Sequence, residues 1–428
     1  MKTGFGLILA CLALAACGPA GRDSEMDAFI DNLMGRMTVE EKIGQLNLPA
    51  GGDIVSGQVF ETDLAELVSS GKAGGFFNVK GVEKITEFQR LALENSRLGI
   101  PLLVGADVIH GYETVFPIPL ALSCSWNPSA IERMARISAV EASADGVNWT
   151  FSPMVDICRD ARWGRIAEGS GEDPWLGSQM AAAYVRGYQG ADMSHDDEIM
   201  ACVKHFAAYG APEAGRDYTA VDMSRQKLYN CYLPPYQAAV EAGAGSVMTS
   251  FNLLDGEHPT ASRWLLDGLL RRQWGFNGMV VTDYNSISDM ATLGLAEAPE
   301  AAAMSLKAGT DMDMVSNAYL NTLGDSYRKG LISMEEIDRA CRRILEAKYR
   351  LGLFSEPYKY CKPQRAETEL YTEEHLKAAR EIAAETFVLL KNDGNILPLQ
   401  KKGKIALIGP CCFIGSSTET RMRLCRKR

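Results

Sequence analysis

Two hydrophobic periods alternate along this chain. Apolar runs of strand length occur at Gln45 to Leu48, Gly74 to Val79, Pro101 to Asp107, Asn148 to Pro153, Ile199 to Phe206, Gly245 to Phe251, Gly278 to Asp283 and Thr310 to Val315. Most are separated by stretches with helical spacing: Val82 to Arg97, Ser129 to Asp145, Trp175 to Gln189, Arg225 to Ala242, Arg263 to Trp274 and Ser286 to Lys307. A near-continuous apolar run marks a strand covered on both faces, and amphipathic crossovers supply the cover. Eight such units with short connections predict an α/β fold whose parallel sheet closes into a (β/α)8 barrel. A doubly wound open sheet is the alternative. Thr38 and Glu41 read as a capping box opening a helix from Val39 to Gln45.

After two more helical stretches, Ala318 to Arg328 and Ser333 to Leu351, the pattern stops. Residues Ser355 to Leu370 carry two prolines, charges and little periodicity, the composition of a linker. A helix capped by Thr372, a strand and turn in LLKNDGNILPL, and a compact strand KIALIG read as the opening of another α/β domain. The stretch after Pro410, CCFIGSSTETRMRLCRKR, matches neither period. The expected division is 1–17 as a signal peptide, 18–354 as the barrel, 355–371 as a linker, and 372–428 as the start of a second domain with an atypical tail.

The N-terminus adds a destination. Lys2 precedes the apolar stretch GFGLILACLALAA, too short to span a bilayer and of signal-peptide length. Leu14, Ala15, Ala16 and Cys17 resemble a bacterial lipobox, whose cysteine would be lipidated; cleavage after Ala15 is the competing reading. Export follows, to the periplasm or to the outer membrane through a lipid anchor on Cys17. The 11 cysteines show no paired CxxC spacing, so neither a zinc site nor a disulfide framework is indicated. A formal net charge of -10 argues against nucleic acid as a partner.

The ends of the apolar runs carry the chemistry. In a barrel the C-terminal ends of all strands converge on one rim. GFNGMVVTDY ends in Asp283, which reads either as the cap of the next helix or as a carboxylate presented to a ligand. Asp107 ends LLVGAD, Lys204 and His205 stand near the end of IMACVKHF, and Arg165 follows NWTFSPMVDICRD with Glu168 and Glu172 beyond it. Each has a structural reading alone: Asp107 in an ion pair with Lys204, His205 as a satisfied core histidine, Arg165 as a solvated loop charge. Together they suit a polyhydroxylated ligand held by charged hydrogen bonds and aromatic faces.

GADVIHG, RDARWGRIAEGSGEDP, KHFAAYG and GFNGMVVTDY, in this order along the chain, resemble glycoside hydrolase family 3 in its β-glucosidase branch, from about Thr38 to Gly409. The resemblance implies a (β/α)8 barrel followed by an α/β sandwich. It also implies exo-acting hydrolysis of terminal β-linked glucosyl residues with retention, on β-linked oligosaccharides or aryl β-glucosides, and no cofactor. Carried over by motif, Asp283 corresponds to the nucleophile, and Asp107, Arg165, Lys204 and His205 to groups that bind sugar hydroxyls. Lys204 and Arg165 are expected to keep Asp283 ionised at neutral pH. Two positions depart from the pattern: Tyr284 stands where many relatives have tryptophan, though it still offers a stacking face, and Phe251 where some have tyrosine. Glucose and xylose therefore both stay open as the terminal sugar. KHFAAYG in place of KHFPGHGD disfavours the N-acetylglucosaminidase branch.

A retaining glycosidase needs a second carboxyl group about 5 to 5.5 Å from the first. In β-glucosidases of this family it comes from the second domain, so impaired turnover is expected of this chain. A barrel acid, Glu172 or Glu213, is one alternative, and a non-catalytic sugar-binding lipoprotein another.

Overall fold

The computed structural model describes residues 24–53, 63–404 and 406, in two compact units whose boundary along the chain falls between Phe387 and Val388. The expected signal peptide, Cys17 and the tail after Pro410 lie outside the described residues.

Each of the eight apolar runs contains a strand of the first unit: β1 (Asn47–Leu48), β2 (Gly75–Phe77), β3 (Leu103–Ala106), β4 (Trp149–Thr150), β5 (Met200–Phe206), β6 (Ser246–Thr249), β7 (Met279–Val281) and β8 (Asp313–Met314). From β2 to β7 each strand pairs in parallel with the next. β1 pairs in parallel with β8. Parallel bridges from Ala50 to Phe77 and from Val281 to Met312 connect β1 to β2 and β7 to β8. The ring is therefore closed, which selects the (β/α)8 barrel over the open sheet.

Every residue of the eight strands is buried, as a sheet with an inner core and an outer ring of helices requires. Phe77, Trp149 and Phe151 pack edge to face, with ring centroids 5.6 Å (Phe77 to Phe151) and 4.9 Å (Trp149 to Phe151) apart. The indole N–H of Trp149 donates to Ser246 Oγ at 2.8 Å, so the largest buried ring leaves no donor unpaired.

Helix boundaries follow local chemistry. The capping box is present: Glu41 N–H donates to Thr38 Oγ1 at 3.2 Å and Thr38 N–H to Glu41 Oε2 at 2.8 Å. The stretch Ser286 to Lys307 is two helices, Ser286–Thr292 and Ala298–Ala308, because Gly294 takes a φ of 71° and Pro299 starts the second. Arg225 to Ala242 is likewise broken before Pro234, with a π-helical turn over Leu228–Tyr232.

Residues 355–371 are more ordered than a linker. They include a helix, Pro363–Glu369, and the Tyr360 hydroxyl donates to Glu198 O at 2.8 Å while Arg365 Nη2 donates to Ser143 Oγ at 3.1 Å. The charges that read as linker composition are used in these attachments. The helix Glu373–Glu385 is capped by Thr372 and also belongs to the first unit, with His375 Nδ1 2.8 Å from Glu141 Oε1.

The described part of the second unit forms no strand. Asn392 braces a turn, its Nδ2 donating to Leu397 O and its Oδ1 accepting from Leu397 N, both at 2.9 Å. Val388, Leu389 and Leu390 are exposed. A strand needs a partner edge for its N–H and C=O groups, and the described residues of this unit supply none. Among all described residues, no helix is long and apolar enough to cross a membrane, and Cys124, Cys158, Cys202, Cys231, Cys341 and Cys361 are free thiols.

Candidate active site

Asp283 stands two residues past β7, at the C-terminal rim. It does not cap the next helix: the N-cap is Asn285, with φ of 61°, and the Asp283 side chain accepts instead from Tyr284 N–H, through Oδ1, at 2.7 Å. Its other oxygen, Oδ2, is buried and accepts no hydrogen bond. His205 Nε2 lies 3.6 Å from Oδ2. Asp283 is 7% exposed.

Three other strand ends bring their groups to the same place. Asp107 follows β3, Lys204 and His205 end β5, and Arg165 and Glu168 lie in the loop after β4. Lys204 Nζ donates to Asp107 Oδ1 at 2.7 Å. This is the ion pair of the structural reading, but the Asp107 side chain is 40% exposed and so still reaches solvent. Arg165 clasps Glu168 with two bonds, Nε to Oε1 at 2.7 Å and Nη2 to Oε2 at 2.9 Å. The same Nη2 lies 3.1 Å from His205 Nε2, and the guanidinium covers the Tyr209 ring at 5.5 Å.

His205 is satisfied on both nitrogens. Its Nδ1 is 2.8 Å from Asp156 Oδ2, which also accepts from His205 N–H at 2.9 Å. Burial, with Arg165 and Lys204 adding to it, holds the imidazole well below its usual pKa. The ring is neutral, Nδ1 donates to Asp156, and Nε2 is left to accept from Arg165. The Tyr236 hydroxyl closes the arrangement, bonding Asp156 Oδ1 at 2.5 Å and His205 O at 2.6 Å. The peptide bonds Lys204–His205 and Phe206–Ala207 are cis.

Electrostatics corrects one expectation. Lys204 and Arg165 do lower the Asp283 pKa, but burial outweighs them and the carboxyl is pushed up to about 7. Neither cation forms an ion pair with Asp283; Lys204 turns to Asp107 and Arg165 to Glu168. For Lys204 the balance reverses: burial lowers its pKa, and Asp107 with Glu168 more than offsets that. Burial likewise raises the Glu168 pKa, and Arg165 brings it below the ordinary value.

Aromatic rings line the site. Tyr209 packs edge to face on Trp163 at 5.2 Å and on His205 at 5.3 Å. Phe251 lies 5.8 Å from Tyr209 and 5.1 Å from the exposed Tyr218. Tyr284 meets Phe77, at the end of β2, edge to face at 6.3 Å. Gly210 ends KHFAAYG where a Cβ would come 2.3 Å from Ile157 O, so only glycine lets the loops after β4 and β5 close together. Glu172 and Glu213 are exposed.

Asp156 and Tyr236 were not singled out from sequence. Asp156 had a visible signal, a lone carboxylate within the apolar SPMVDIC. Tyr236 had none, since a tyrosine on a helix has no local mark that its hydroxyl points inward.

Residues 38–347 match the glycosyl hydrolase family 3 N terminal domain. A periplasmic beta-glucosidase of Salmonella typhimurium is 44% identical over 388 residues, covering 90% of this chain and 50% of the relative. A beta-xylosidase of Formosa agariphila is 40% identical, covering 77% and 48%. The crystal structure of a beta-glucosidase from Listeria innocua in complex with isofagomine superposes with a TM-score of 0.84 at 41% identity, covering 88% of this chain and 53% of that one. The chain spans about half the length of the curated relatives it matches. With the family's domain matched over most of the barrel, the chain belongs to glycosyl hydrolase family 3.

Proposed function

We propose that this chain carries the glycosyl-accepting half of a retaining exo-β-glycosidase of β-glucosidase type, with Asp283 as the nucleophile. The observation that carries the reading is Asp283 Oδ2, a buried carboxylate oxygen without a hydrogen-bond donor at the rim where the other strand-end groups meet. Such an atom is free to attack an anomeric carbon. Asp107 and Lys204 are placed to hold hydroxyls of the terminal sugar, Arg165 and His205 to hold others, and Tyr284 to face the ring. Asp107 pairs with Lys204, Glu168 with Arg165, and Asp156 with His205 and Tyr236, so the other carboxylates gathered here are already committed. Leaving groups that need no protonation should therefore react best.

The experiment is a burst assay with dinitrophenyl β-glucoside. One equivalent of phenolate should appear quickly, with intact-mass gain of one hexosyl group, and Asp283→Asn should abolish both. Release that survives in Asp283→Asn would remove the proposal. The Formosa beta-xylosidase supports a second reading in which the terminal sugar is xylose. Comparing kcat/KM for the aryl β-xyloside and β-glucoside decides between them. The name of the Salmonella relative supports export, for which we propose the lipid anchor on Cys17; palmitate labelling that Cys17→Ser removes is its test.

A further inference from the structure

At the end of the barrel opposite Asp283, the segments that precede β5, β6 and β7 and the helix Met334–Arg350 enclose a recess of about 900 Å³. Seven arginines line it, in a protein whose net charge is -10. Arg271 and Arg343 share one carboxylate, Asp311, at 2.8 Å each. The Arg271 side chain is 9% exposed, yet its Nε–H is buried without an acceptor. Arg186, Arg272 and Arg342 have carboxylate partners in Glu132, Asp267 and Asp31. Arg339 and Arg350 make no ion pair or hydrogen bond among the described residues.

Asp192 and Glu346 also line the recess, so guanidinium groups outnumber the carboxylates of its wall seven to two. Burial, with Arg343 and Arg339 adding like charge, draws Arg271 down to about 10 even though Asp311 opposes it. An oxyanion would satisfy the orphaned donor and relieve the repulsion, and guanidinium forks match phosphate oxygens in geometry. A second pocket of about 210 Å³ shares Arg343, Arg350 and Phe276 with the recess and adds Trp274 and Met200. Phe276 is buried and Trp274 half-buried, so an apolar wall stands beside the cationic one.

We propose that this recess binds a phosphate-type oxyanion carried on a small apolar or ring-bearing group. The phosphate meets Arg271, Arg339 and Arg350, and the apolar part lies along Trp274 and Phe276. The chemistry is common to a soluble aryl or nucleoside phosphate and to a phospholipid headgroup. It is independent of the glycosidase reading, because binding is measured without any sugar.

The test is calorimetric titration of the full chain with phenyl phosphate and with inorganic phosphate, at ionic strength fixed with KCl. Phenyl phosphate should bind at least about tenfold more tightly than inorganic phosphate, and Arg339→Ala/Arg350→Ala should weaken it by at least about tenfold. Both positions are solvent-accessible, and an unchanged circular dichroism spectrum shows that the variant is folded. Absence of binding, or equal affinity in the double variant, overturns the site. Equal affinity for the two phosphates overturns its apolar half. Sedimentation with phosphatidylglycerol vesicles, lost in the double variant, identifies the headgroup as the source; binding of phenyl phosphate without sedimentation identifies a soluble phosphate.

Discussion

Two buried aspartates, at opposite ends of adjacent strands, have opposite surroundings. Asp311 precedes β8, is 1% exposed, and accepts from Arg271 Nη2, Arg343 Nη1 and Val280 N–H, each at 2.8 Å. Asp283 follows β7, accepts one bond from Tyr284 N–H, and leaves Oδ2 without a donor. The first is a structural carboxylate whose charge is fully answered. The second keeps an unanswered oxygen and a pKa raised to about 7 by burial. A folded chain retains such a group where chemistry requires it, and saturates it where stability does. The distinction lies in the donors around each group, since both are aspartates at strand ends.

The largest effect that would break this comparison is on glycosylation. Asp283→Asn should lower the burst rate with an activated aryl β-glucoside by on the order of 10⁴-fold. Asp311→Ala should leave that rate within about threefold at a temperature where the protein is folded, because it acts on stability. That same change should cost about 4 kcal/mol in urea unfolding, as two guanidinium groups lose their shared partner. A loss under about 1 kcal/mol would mean that Asp311 is not a structural anchor.

Asp156 sharpens the contrast, being saturated yet serving the site. Asp156→Asn should reduce the burst rate by about 10- to 100-fold by releasing the His205 tautomer. Tyr236→Phe should do the same more weakly. A merely structural role would lower the melting temperature and leave the pH profile of the burst unchanged. A positioning role shifts that profile, because the imidazole facing Asp283 changes its protonation.

The remaining effect is on stability, and its sign is fixed by linkage. Burial raises the Asp283 carboxyl from 3.8 to about 7, so between those values the folded protein retains a proton that the unfolded chain has released. Stability therefore falls as pH rises through this window, and the whole penalty is present above it. Asp283→Asn should be more stable than the parent by on the order of 4 kcal/mol at pH 8 and nearly equal to it at pH 4. The burst rate of the parent runs the other way, falling about tenfold per unit of pH below 7 as the Asp283 carboxylate is protonated. A difference in stability that does not vary with pH would show that Asp283 is not held in its raised state.

Much of this was legible without coordinates. Eight apolar runs corresponded to eight strands because a parallel barrel buries both faces of its sheet, which leaves a mark in consecutive residues. The capping box of Thr38 and Glu41 is local chemistry too, whereas the break at Gly294 and Pro299 went unread because the apolar spacing runs on across it. The linker was misread because prolines and charges look alike whether solvated or docked, and Tyr360 and Arg365 show their partners only in three dimensions. The strand expected in LLKNDGNILPL illustrates the reverse, an apolar run that forms no strand without an edge to join.

Sequence alone determined the strand count, the family and which polar residues end the strands, because these depend on period and motif, properties of neighbours along the chain. Only the tertiary structure decided that Asp283 is no helix cap and that Lys204 and Arg165 spend their charge on Asp107 and Glu168. It alone decided that Asp156 and Tyr236 hold His205, and that burial prevails over two cations in setting the Asp283 pKa. Those outcomes depend on distance and desolvation between groups far apart in sequence, such as Asp156 and Tyr236, which only the closed ring brings within a hydrogen bond of one another.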